Sequence, residues 1–91
     1  MPDVIVYMKP MCPYSRQAMA LLEEKGCAFQ KFDVAHDEQR HEEMKERCGR
    51  HTVPQIFIAG RHVGGCDDLY ALEECGELDA LLGGAPSSIA P

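Results

Sequence analysis

Apolar and polar positions alternate along this chain in two periods. Val4-Ile5-Val6-Tyr7 is a short β-branched run that predicts a buried strand over residues 3–7. Ala18, Leu21 and Leu22 then recur at helical spacing among Arg16, Gln17, Glu23 and Glu24, predicting a helix over 13–25 that Gly26 stops at its C′ position. Phe29, Phe32 and Val34 alternate imperfectly with polar residues, so 28–34 reads as a second strand. A second helix starts at His36 or Asp37 and ends at Cys48-Gly49. Its apolar residues are few (Met44, Cys48), which predicts a solvated helix with a narrow contact stripe.

Residues 54–59, with the core Gln55-Ile56-Phe57-Ile58, read as a third strand. Ala59-Gly60-Arg61 is a tight turn into a short fourth strand, Arg61-His62-Val63, and Gly64-Gly65 breaks the pattern. Asp67 or Cys66 is expected to cap a third helix running to Glu74, with Leu69, Tyr70 and Leu72 as packing candidates. Leu78, Leu81 and Leu82 add one or two last helical turns, and 83–91 reads as a flexible tail after a single domain over 1–82. The order β-α-β-α-β-β-α predicts an α/β fold. A parallel right-handed β-α-β crossover and an antiparallel hairpin would share one four-stranded mixed sheet flanked by helices. The stretch between the first strand and first helix then lies at the sheet's carboxyl edge, the usual place for an α/β site.

Composition narrows the function. A formal net charge of −6, with no basic stripe to neutralise phosphates, argues against nucleic acid as a partner. No apolar run approaches the ~18–20 residues that span a bilayer. Met1-Pro2-Asp3 lacks the basic-then-apolar order of a signal peptide. The expectation is a monomer in the cytoplasm without membrane contact. The five cysteines, Cys12, Cys27, Cys48, Cys66 and Cys75, form no secreted disulfide framework and fit a reducing compartment. Cys48-Gly49-Arg50-His51 has a zinc-ligand gap, but no second close pair completes four ligands, so no metal site is predicted.

Cys12 carries the candidate chemistry. Pro13 fits the first helical position, where its missing N–H has no partner to lose. Cys12 thus falls at the N-cap, facing unpaired N–H groups and the positive end of the helix dipole, with Lys9 close in sequence. All three favour thiolate, the nucleophilic form.

Cys12-Pro13-Tyr14-Ser15, Thr52-Val53-Pro54 and Gly64-Gly65-Cys66-Asp67-Asp68, in this order and spacing, resemble the glutaredoxins, closest to the small bacterial class I members. The resemblance extends from Val4 to about Leu82. It implies the thioredoxin-like fold, glutathione as co-substrate, and reduction of mixed disulfides of glutathione with proteins and small molecules. It implies a cis Val53-Pro54 bond, with the Val53 backbone pairing to the cysteinyl part of glutathione as an added strand would. It also places the γ-glutamyl carboxylate on the N–H groups of Cys66 and Asp67 after Gly65, and its ammonium beside the Asp67 carboxylate. Lys9 suits the glycyl carboxylate, and Tyr14 would line the cleft. Family members often add a polar group from the second helix; the nearest positions, Arg40 and His41, align too loosely to assign.

Ser15 departs from the pattern, because most class I members carry a resolving cysteine there. A hydroxyl does not attack a disulfide at neutral pH, so the resemblance implies a monothiol mechanism through Cys12, whether the serine is native or an engineered exchange. The cluster-handling class II members usually read Cys-Gly-Phe-Ser, with an insertion before the cysteine and a Trp-Pro pair after the second helix. This chain has Lys9-Pro10-Met11-Cys12 and no tryptophan. The competing reading is an iron–sulfur carrier in which Cys12 and glutathione ligate a cluster within a dimer.

Overall fold

The computed structural model describes residues 3–83, so the predicted tail lies, beyond Gly83, outside the described residues. The elements are β1 (Val4–Met8), α1 (Pro13–Glu24), β2 (Gln30–Asp33), α2 (Glu38–Cys48), β3 (Gln55–Ile58), β4 (Arg61–Gly64), α3 (Cys66–Glu74) and α4 (Glu77–Leu81). The strands form one sheet in the order β2-β1-β3-β4. β1 runs parallel to β2, with Val6 opposite Lys31, and antiparallel to β3, with Val6 opposite Ile56. β3 and β4 form the antiparallel hairpin, with Phe57 opposite His62. Ile56 pairs with Gly64, so Val63 is an extra residue in β4, a bulge.

The twofold alternation of the strands assigns the two faces. Val4, Val6 and Met8 of β1, with Ile56 and Ile58 of β3, pack against Ala18, Leu21 and Leu22 of α1, Leu69 of α3 and Leu78 of α4. Each large aliphatic side chain fully buried here contributes about 1.5–3 kcal/mol. Tyr7 and Phe57 point to the opposite face and pack with Val34 and with Met44 of α2.

The second helix follows its sequence signals closely. Asp37 is the N-cap, and its carboxylate accepts the Arg40 N–H at 3.1 Å. Gly49 closes it in the left-handed conformation (φ 72°), donating to the Lys45 carbonyl at 2.8 Å. Met44 is the only fully buried apolar residue of this helix. Arginines add to its grip: the Arg40 and Arg47 guanidinium carbons each lie 3.9 Å from a ring centroid, of Phe32 and Phe57 respectively. The buried Tyr7 hydroxyl donates to the Glu43 carboxylate and accepts from Arg47 at 3.0 Å. Burial, then Glu43, pushes the Tyr7 phenol up, so it stays a donor.

Several expected boundaries move. β2 begins at Gln30 rather than residue 28, because only Gln30 to Asp33 find ladder partners on β1. The larger correction concerns α3. Its N-cap is Gly65, and Cys66 is already its first residue, so neither Cys66 nor Asp67 is the cap. Asp68 does that work: its carboxylate accepts the Gly65 N–H at 2.9 Å. Gly64 is held at φ +122°, where a Cβ would collide with that carboxylate.

No helix among the described residues is long and apolar enough to cross a membrane.

Candidate active site

Cys12 stands where β1 gives way to α1. A turn bond from the Cys12 N–H to the Lys9 carbonyl (3.0 Å) closes the loop, and the Arg16 N–H donates to the Cys12 carbonyl (3.1 Å) as the first helical bond. The cysteine backbone is extended and Pro13 occupies the first turn, as the sequence predicts. The amides of the following turn are therefore directed at the sulfur. Burial is the largest single influence and pushes the thiol up. The Ser15 N–H, the Ser15 hydroxyl, the Tyr14 N–H and the Lys9 charge together outweigh it, and the Cys12 thiol ends below its ordinary value.

Two other thiols go the opposite way. Burial raises Cys27, and burial with the nearby Asp67 and Cys12 charges raises Cys66. Cys66 is only 6% exposed and its sulfur faces the Gln17 amide oxygen at 3.8 Å. All five cysteines are free thiols.

Ser15 is fully buried. Its oxygen accepts the Lys9 N–H at 3.3 Å, so the hydroxyl braces the loop that carries Cys12. The Cys12 sulfur lies 3.9 Å from the Val53 carbonyl, which brings the chain before β3 to the thiol. The Val53-Pro54 peptide is cis.

A cleft of about 230 Å³ opens beside these groups. Tyr14, Thr52, Val53, Pro54, Gly65, Cys66 and Asp67 all line it, so seven of the predicted site residues come together from three separate parts of the chain. Lys9 lies outside this lining and reaches Cys12 through its charge. Arg40 and His41 are not part of the wall either; Arg40 is held by Phe32 and by Glu43 at 3.0 Å. The Asp67 carboxylate has no hydrogen bond or ion pair to another described residue, which leaves it open to the cleft.

Three lining residues escape the sequence reading: Arg50, Gln55 and Asp68. Asp68 had a signal, since a carboxylate three residues after a cap is the capping-box position. Gln55 had one too, a polar residue in an otherwise apolar strand. Arg50 had none; it reaches Asp68 across the cleft at 3.5 Å.

A family model for glutaredoxin matches residues 4–63. This chain belongs to the glutaredoxin family. Glutaredoxin 3 of Escherichia coli is 52% identical over 82 residues, covering 90% of this chain and 99% of that protein. A glutaredoxin of Pseudomonas aeruginosa is 48% identical over 82 residues, with 90% and 98% coverage. Among solved structures, the glutaredoxin of Brucella melitensis superposes with a TM-score of 0.80 at 54% identity, covering 93% of this chain and 95% of that one. A complex of buckwheat glutaredoxin with glutathione gives a TM-score of 0.83 at 26% identity, with 90% and 77% coverage. The glutaredoxin thus has the thioredoxin-like fold expected from its motifs and is a glutathione-dependent thiol–disulfide oxidoreductase, with glutathione as co-substrate.

Proposed function

We propose that this glutaredoxin reduces glutathione mixed disulfides by a monothiol mechanism, with Cys12 as the one working thiol. The carrying observation is the contrast within a single turn of helix. Cys12 is acidified at the helix start, while the position of a resolving thiol holds the buried, hydrogen-bonded Ser15 hydroxyl.

The Cys12 thiolate attacks the glutathione sulfur of the mixed disulfide. A new sulfur–sulfur bond forms to Cys12, the old one breaks, and the substrate sulfur leaves as a thiolate that takes a proton from solvent. A second glutathione, as thiolate, then attacks the glutathione sulfur held on Cys12. Glutathione disulfide departs and the Cys12 thiolate is regenerated, a better leaving group than an ordinary thiolate because its pKa is lowered. Each step exchanges one sulfur–sulfur bond for another: the substrate sulfur is reduced, the one incoming glutathione is oxidised, and the glutathione that arrives in the mixed disulfide stays at the disulfide level throughout.

The cleft fits the tripeptide. Val53 offers backbone groups beside the sulfur, the first N–H groups of α3 suit the γ-glutamyl carboxylate, and Asp67 suits its ammonium. Tyr14, Thr52, Pro54, Gly65 and Cys66 supply walls. Lys9 acts on the thiolate and on the glycyl carboxylate at the rim. The substrates are glutathionylated proteins and small-molecule disulfides, met by a monomer in a reducing compartment such as the cytoplasm.

Mass spectrometry after treatment with glutathione disulfide tests this. One glutathione on Cys12 is expected. An internal Cys12–Cys66 disulfide without an adduct would sink the monothiol reading. Anaerobic reconstitution with iron and sulfide tests the rival, since a cluster carrier would gain visible absorbance.

A further inference from the structure

We infer that Gln55 and His62 are positioning residues for the cleft: they form a relay, centred on the buried Gln55 amide, that holds Thr52, and through it the Val53 backbone, in the conformation that receives glutathione. The inference rests on reading the cleft as the glutathione site.

Gln55 begins β3 and is 1% exposed, between the cleft and the α2 face of the sheet. A buried amide is costly unless its donors and acceptor are all matched. Here they are. The Gln55 amide nitrogen donates to the Thr52 carbonyl at 3.1 Å and to the Thr52 hydroxyl oxygen at 3.2 Å. The Gln55 amide oxygen lies 2.7 Å from His62 Nε2. The orientation is fixed by chemistry, since a reversed amide would set its oxygen against the Thr52 carbonyl oxygen. The oxygen therefore accepts, and His62 Nε2 carries the proton. Phe57, with its ring centroid 5.0 Å from the His62 ring, holds the imidazole in place.

The loop needs such a hold. Among the described residues, neither the N–H nor the C=O of Val53 makes a backbone hydrogen bond, and Thr52 donates none. Those free groups are what a strand-like ligand would pair with. A segment without a ladder is fixed by side chains, and on this wall the relay ties Thr52 while the Cys12 sulfur meets the Val53 carbonyl. The opposite wall has its own, through Asp68, Gly65 and Arg50.

The relay is not a pH switch. The charged groups acting on His62 are Arg50 from the loop, Asp68 from α3 and Arg47 from α2. Burial first, then Arg50, pushes the imidazole down, so it is neutral at physiological pH. Protonation would add a proton at Nδ1 and leave the Nε2 donor in place.

The test is steady-state kinetics with a glutathionylated small thiol for the intact chain and four variants: Gln55→Met, His62→Phe, their double and Asp67→Ala. Gln55→Met keeps volume without the amide; His62→Phe keeps the stack without the donor. Each single change should raise KM for the mixed disulfide about two- to tenfold, the worth of one hydrogen bond, with kcat within about twofold. The double should be no worse than the worse single, because both break one chain. Alkylation of Cys12 by a small reagent should be unchanged. An unmoved KM in Gln55→Met beside a raised KM in Asp67→Ala would overturn the relay and leave the cleft reading intact. If neither moves KM, both fall. Additive effects in the double would also overturn it, as two independent packing losses. Should Gln55→Met fail to fold, Thr52→Val at an exposed position removes the hydroxyl acceptor, and with His62→Phe carries the same comparison.

Discussion

Replacing Ser15 with alanine removes one oxygen from a site closed to solvent, and it should have two separable effects. Ser15 is 0% exposed and its oxygen accepts the Lys9 N–H at 3.3 Å. Losing that long, neutral bond costs about 1 kcal/mol. In a domain of this size, that lowers Tm by about 4–8 °C. The second effect falls on the thiolate alone. The Ser15 hydroxyl is one of the groups that acidify Cys12. A hydrogen bond to a charged group is worth about 1.5–3 kcal/mol, and the half-buried sulfur points to the lower end. Each ~1.36 kcal/mol is a tenfold change in the thiolate-to-thiol ratio.

The sign follows directly. Removing a donor to the charged form raises the Cys12 pKa toward its ordinary value. The alkylation rate should fall where the parent thiol is half ionised and converge with the parent in strong alkali. Stability carries the same signature. A thiol more acidic in the folded state stabilises the fold above the unfolded thiol's pKa, and that contribution fades as pH falls through the folded pKa. The loss of Tm in Ser15→Ala should therefore grow at alkaline pH. Iodoacetamide labelling of Cys12 against pH, with thermal unfolding by circular dichroism, reads both effects. A labelling profile that superimposes on the parent's would show that the hydroxyl does not touch the thiolate.

Cys12→Ser should abolish reduction of glutathione mixed disulfides while the circular dichroism spectrum stays native; residual turnover would assign the chemistry to another thiol. Ser15→Cys should leave deglutathionylation intact and add direct reduction of protein disulfides, because residues three apart on a first helical turn are neighbours; an insulin-type disulfide assay decides it. Gly64→Ala should destabilise the domain by more than about 1 kcal/mol, since its φ of +122° disfavours a side chain and its Cβ would push the Asp68 carboxylate off the Gly65 N–H. Chemical denaturation measures this, and an unchanged midpoint would mean that Asp68 moves away freely.

The parts of the fold readable from sequence are those governed by local periodicity. β1, α1 and the β3–β4 hairpin carry clean patterns and sharp stops, and Pro13 with Asp37 marks two helix starts within a residue. The start of α3 is not legible in the sequence, because two carboxylates, Asp67 and Asp68, follow the glycine pair. Only their geometry shows which one turns back to the Gly65 N–H. Most of the cleft could be assembled from three motifs, because they lie on loops that the topology brings to one edge. Gln55 and Arg50 escape a sequence reading of the site for different reasons. Gln55 stands out only as a polar residue in an apolar strand, and its partner His62 depends on the hairpin register. Arg50 sits in a loop whose direction no periodicity reports.

The two layers on either side of the sheet are held by different forces, and that divides the molecule's fluctuations. α1, α3 and α4 share a continuous aliphatic core. α2 is fastened mainly by Met44, two guanidinium–ring stacks and a tyrosine–carboxylate bond. Less hydrocarbon is exposed when this helix detaches than when the aliphatic layer opens, so its opening should have the smaller heat-capacity change and the lower free energy. Native-state hydrogen exchange should find the amides near Met44 trading with solvent before those near Leu22; the reverse order would contradict this division. Cys12 is anchored in the aliphatic layer, at the head of α1. Opening of α2 should therefore leave the head of α1, and Cys12 with it, packed on the aliphatic core.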